Sequence, residues 1–137
     1  GEFDRVFCVF DRDGHANHQQ ALDLVANSPL GRKGILAAIT SVPCFEIWVL
    51  LHYDYSTAPI MATGGRSAGE NVIAAVRRHL PGYDKAFSGV FDEIWPMLDN
   101  AITHADRLAV HNRDAGSDNP ATKVHELVKY LKSLKKD

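Results

Sequence analysis

VFCVFDRDGH, residues 6–15, is an apolar run that ends abruptly on two aspartates. Val6 to Phe10 are strand-forming types without polar alternation, the pattern of a buried parallel strand. Asp11 and Asp13 follow, one arginine apart, and Gly14 lets the backbone turn sharply after them. From about His18 to Ala26 the chain reads as a helix with Ala21, Leu22 and Val25 on one face. NSPLGRKG, residues 27–34, is loop punctuation, and ILAAIT, residues 35–40, is a second short apolar run. Strand, helix, strand makes a βαβ unit and predicts an α/β fold with a small parallel sheet.

Outward from this unit the chain reads as helical. CFEIWVLLHY, residues 44–53, is apolar nearly all round and bears one acid, Glu46. Residues 56–66 form a loop. Ser67-Ala-Gly-Glu70 fits a capping box, opening a helix that ends near Leu80. LPGYDK, residues 80–85, is a turn. Residues 87–112 carry helical spacing, with Pro96 marking a break. NRDAGSDNP, residues 112–120, reads as a polar loop. Asn119 and Pro120 then start a last amphipathic helix with Val124, Leu127, Val128, Leu131 and Leu134 on one face. Two strands alone make a poor sheet, so either a pairing partner or further strands lying upstream are expected.

The 137 residues suit one domain, residues 1–137, long enough to bury a core. Apolar content of 45%, charged content of 23% and a net charge of -2 are ordinary, and they do not advertise a nucleic-acid binder. The last helix bears five lysines, which read as a solvated face. Cys8 and Cys44 lie in apolar runs, as reduced core residues of a cytoplasmic protein do. No stretch approaches the roughly 20 apolar residues of a membrane span.

The chemistry concentrates on the aspartates. Two carboxylates at the C-terminal end of a parallel strand lie where open α/β sheets bind ligands. Their mutual repulsion is relieved by a cation, and their oxygens suit Mg²⁺ or Mn²⁺. A turn acid plus a helix cap explains the same pair without function. Glu46, alone in an apolar helix, needs a metal or a basic partner. His52 reads equally as a helix C-terminal cap, Lys85 as an exposed turn lysine, and Asn119 and Thr122 as helix caps. His125 reads equally as a pocket residue or a buried ring.

Two families compete for the first motif. VFDRDGH resembles the haloacid dehalogenase-like phosphatases, with His15 in place of their threonine and ILAAITS (Thr40, Ser41) like their second motif. That family's later lysine and acidic pair have no convincing counterpart. The Toprim fold also places a D-x-D after a strand, for metal. The rest of the chain decides: VFCVFDRDGH, VPCFEIWVLLHY, HLPGYDK and NPATKVHELV resemble, in order, the RloB-like family, a Toprim-related group of bacterial restriction-modification and phage-defence loci.

The resemblance implies a Toprim/Rossmann-like fold with a helical C-terminal half, and a Mg²⁺- or Mn²⁺-dependent nuclease or phosphodiester-processing activity on DNA or RNA. Asp11 and Asp13 match its metal-binding pair, and Glu46 and His52 match its P-C-F-E-x-W-x-L-L-H segment. Tyr83 and Lys85 match its Y-x-K turn, and Asn119, Thr122 and His125 its N-P-x-T-x-V-H segment. Asp11, Asp13, Glu46 and Lys85 are the expected catalytic residues, with Asp11, Asp13 and Glu46 holding the metal. Such a protein carries an upstream strand ending in a glutamate. The chain thus looks like the C-terminal part of one, and an open first strand implies self-association. Two other readings stand beside it: a phosphohydrolase with Asp11 as nucleophile and Asp13 as acid/base, and a non-catalytic subunit that binds a defence-system partner.

Overall fold

In the computed structural model the described residues are 5–12, 17–85 and 88–134. β1 (Val6–Asp11) and β2 (Leu36–Val42) pair in parallel, from Val6 beside Leu36 to Asp11 beside Ser41. The crossover is α1 (His18–Asn27) and a single turn, α2 (Pro29–Arg32). Ser28 ends one and caps the other, its hydroxyl accepting the Gly31 N–H at 2.9 Å. A Cβ on Gly31 would lie 1.9 Å from the Val25 carbonyl oxygen, so the two helices can meet this closely only at glycine.

A third strand that no reading of the sequence anticipated is β3 (Ala121–Thr122), antiparallel to β2, giving the sheet order β1-β2-β3. This corrects the reading of Asn119 and Pro120 as a helix start. Pro120 leads into β3, and the last helix, α7, spans Val124–Ser133. The Val124 N–H donates to Thr122 Oγ1 at 3.2 Å. The first strand is not the buried element its composition predicts. None of its residues is buried and Val9 is 50% exposed, because among the described residues β1 has β2 as its single strand neighbour.

Between β2 and β3 the chain forms α3 (Glu46–Leu50), α4 (Ala68–Arg77), α5 (Val90–Ile94), a 3-10 turn (Trp95–Met97) and α6 (Leu98–Ala115). The capping box at Ser67 and Glu70 is formed in both directions. Pro96 sits in the 3-10 turn and breaks the helix as expected. The expected polar loop starts later than its composition suggests. α6 runs on to Ala115 and stops where Gly116 adopts φ 68°, a left-handed cap.

α3 is shorter than the apolar run that encodes it. The His52 and Tyr53 N–H groups reach back three residues, tightening its end. Its all-round apolar surface is explained by two clusters. One holds Ile39, Ile47, Trp48, Leu51, Val72, Ala101, Ala105 and Leu108; the other holds Val49, Val76, Leu80, Tyr83 and Ile94. α3 contributes to both, so its polar residues are fixed by the core. Among the described residues no helix is long and apolar enough to cross a membrane.

Candidate functional site

The site grows from the C-terminal ends of the paired strands. Asp11 ends β1 in register with Ser41, and Ser41 is in register with Thr122. The three form one row across the sheet, on one face. Ser41 and Thr122 are buried and their hydroxyls share a hydrogen bond of 2.8 Å. Beyond β2 the chain turns through Pro43, after a cis Val42–Pro43 bond, and enters α3. The first N–H groups of a helix lack intrahelical partners. Here the Phe45 N–H donates to Asp11 Oδ1 at 2.8 Å. The carboxylate therefore caps a helix far away in sequence, and the capping reading of this acid is real. Its Oδ2 takes no hydrogen bond from the described residues.

Glu46 follows, almost wholly buried. The Tyr83 hydroxyl donates to its Oε2 at 2.6 Å. Lys85 Nζ lies 3.6 Å from its Oε1, an oxygen that receives no hydrogen bond from the described residues. The Lys85 side chain is 65% exposed, so it reaches from solvent to a buried acid. The turn that carries both partners is itself fastened: Arg77 Nε donates to the Tyr83 carbonyl at 2.8 Å. Burial, then the hydrogen bond from Tyr83 to Glu46, pushes the Tyr83 phenol up, so it stays a donor. Cys44 lies between the acids. Burial, then Glu46, then more weakly Asp11, push its thiol up to about 12. Cys44 is thus a protonated core thiol and not a nucleophile.

Asp11, Glu46, Tyr83 and Lys85, singled out separately in sequence, converge here. The others do not. His52 lies past the far end of α3, its Nδ1–H donating to the Trp48 carbonyl at 2.9 Å and its ring set edge-on to Trp48. Burial holds its pKa below the usual imidazole value, so it is neutral. The Asn119 side chain accepts the Ile60 N–H at 3.1 Å and donates to the Ile60 carbonyl at 2.9 Å. It is a loop clamp, not a helix cap. His125 turns to α6, with Nε2 3.4 Å from Asp106, and burial lowers its pKa too. Asp13 and His15 lie outside the described residues. Sequence reasoning missed Arg12, which pairs with Asp118, while its N–H donates to the Ser41 carbonyl at 3.1 Å. That pair spans 106 positions and leaves no local signal.

Oxygen donors at a strand end suit Mg²⁺ or Mn²⁺, and Asp11 Oδ2 is such a donor. Among the described residues no three His, Cys, Asp or Glu side chains converge well enough to hold a metal ion. Glu46 gives its oxygens to Tyr83 and Lys85. A centre on Asp11 therefore needs Asp13 and water or substrate oxygens for the rest of its shell.

A mixed α/β chain with an acidic strand end beside a buried acid–lysine pair is the class that fold and site define. The sequence model of the family described as RloB-like protein matches residues 1–131, and the chain belongs to that family. No curated protein and no solved structure matches it.

Proposed function

We propose that this chain is a Toprim-like, divalent-metal-dependent domain that processes nucleic-acid phosphodiesters in bacterial phage defence. The observation that carries the reading is Asp11 Oδ2, which takes no hydrogen bond from the described residues, at the end of β1 on the same cysteine-flanked corner as the Glu46–Lys85 pair. Asp11 and Asp13 would hold Mg²⁺ or Mn²⁺, which when bound polarises a phosphate and lowers the pKa of water. The residues supply the rest. The Phe45 N–H fixes one oxygen of Asp11 and so sets where the other points. Lys85 offers an exposed ammonium to a phosphate, and Glu46 holds it in place from below. We assign Glu46, expected as a third metal ligand, to this positioning role.

The test uses calorimetry with Mn²⁺ and a cleavage assay on single- and double-stranded DNA and RNA. Asp11→Asn keeps an acceptor for Phe45 and removes the charge, so it separates folding from binding. Wild type should bind Mn²⁺, and Asp11→Asn and Asp13→Ala should each lose binding and cleavage. Equal affinity in all three would sink the proposal. A phosphohydrolase with a nucleophilic Asp11 is the second reading, favoured by Ser41 in register beside Asp11. Beryllium fluoride trapped on Asp11 would select it.

A further inference from the structure

One ion pair bridges the crest of the sheet. β3 runs antiparallel to β2 with Ala121 beside Val42, so the loop that enters it, residues 116–120, lies past the C-terminal end of β2. Arg12 stands at the same end, directly after Asp11, and its N–H carries the ladder one step further to the Ser41 carbonyl at 3.1 Å. Its guanidinium reaches Asp118 across that end and joins segments 106 positions apart. This is the end at which open α/β sheets take their ligands.

The loop does not need this bond to keep its shape. Gly116 caps α6 in the left-handed region, and the Ser117 N–H donates to the Asn112 carbonyl at 2.9 Å. Asn112 Nδ2 donates to the Pro120 carbonyl at 2.9 Å, and Asn119 is clamped to Ile60. Asp118 is thus fastened on both sides by contacts that leave its carboxylate out. The ion pair itself is a weak tie. A guanidinium and a carboxylate can share two parallel hydrogen bonds, but here one joins them, from Nη1 to Oδ2. The Asp118 side chain is 76% exposed and that of Arg12 32%, so water competes for both. What the carboxylate does achieve is to set an anionic oxygen on the arginine that follows Asp11. Phosphate oxygens suit a guanidinium in the same way.

We propose that Arg12 is a phosphate contact and that Asp118 stands in for the phosphate in the free protein, a built-in competitor that a nucleic-acid strand displaces. The choice of anion rests on the proposed function. Fluorescence polarisation with labelled single-stranded DNA and RNA oligonucleotides tests it, in EDTA, where nothing is cleaved, and again with Mn²⁺. Asp118→Asn removes the competitor's charge and should tighten binding about two- to fivefold, the factor that an exposed ion pair contributes. Asp92→Asn makes the same change of net charge at an exposed position on α5 and should not tighten it. Arg12→Gln should weaken binding by at least about fivefold, and in its presence Asp118→Asn should have no effect. A pair that served the fold alone would behave otherwise: losing either partner would lower the urea midpoint, and neither loss would tighten binding. If Asp118→Asn binds no tighter than Asp92→Asn, or still tightens binding without Arg12, the clasp is overturned and the proposed function stands. If none of these proteins binds either oligonucleotide under either condition, both are overturned.

Discussion

The two ends of α3 each bury a polar side chain, and they handle it in opposite ways. At the start, Glu46 draws in a phenol and a lysine from a turn 37 and 39 positions away, and burial, with Glu46 adding to it, pushes up the Cys44 thiol and the Tyr83 phenol. Past the other end, His52 needs only the carbonyl of Trp48, four residues back, and stays neutral. A buried acid must be surrounded by donors, because desolvating a charge costs far more than desolvating a neutral ring. One end is therefore electrically active and assembled over long range. The other is silent and locally made.

The strongest test of the difference is thiol chemistry. Burial, with Glu46 beside it, raises the Cys44 thiol so far that it stays protonated at pH 8. A thiol reagent on the native protein should titrate half-buried Cys8 first and reach Cys44 only on unfolding. Simultaneous reaction of both would mean that the acidic end is open. Next in size, Tyr83→Phe removes the 2.6 Å hydrogen bond to Glu46 Oε2 and should cost about 1–3 kcal/mol in urea unfolding. A neutral result would show that the acid does not depend on its phenol.

The silent end should reveal itself through pH. Burial holds His52 and His125 below the ordinary imidazole value, so the unfolded chain takes up protons first as pH falls. The stability they lend is complete above about pH 6.5 and is lost as pH drops through their folded values. The urea midpoint should be level from pH 7 to 8 and decline below 6.5, and His52→Gln should flatten part of that decline. A midpoint that rises on acidification would reverse the assignment. Smallest is Lys85→Met. The lysine is mostly solvated, so the stability change should stay within about 1 kcal/mol. If the proposed function holds, its larger effect falls on nucleic-acid binding, whose salt dependence should become shallower. An unchanged slope would leave Lys85 a purely structural partner of Glu46.

Legibility follows the same divide. Elements made by local chemistry could be read directly: β1, β2, the crossover helix, the capping box at Ser67 and the break at Pro96. The depth of β1 could not, because burial depends on what lies beside a strand and not on its own residues. β3 is two residues whose pairing rests on contact with Ser41 and Val42, some eighty positions earlier, so no periodicity encodes it. Gly116 was the overlooked cue that α6 continues to Ala115. In the site, the resemblance marked Glu46, Tyr83 and Lys85 individually. Their partnership is a property of the folded turn and appears only with Arg77 holding it.

The Asn119 clamp has a further consequence for chemical ageing. Asparagine deamidates when the next backbone N–H attacks its side chain and closes a five-membered ring. Here the next residue is Pro120, which has no such hydrogen to lose. An aspartate at this position would keep the bond from the Ile60 N–H and lose the one to the Ile60 carbonyl. The proline that turns the chain into β3 thus also closes this route to loss of the amide that ties down residue 60.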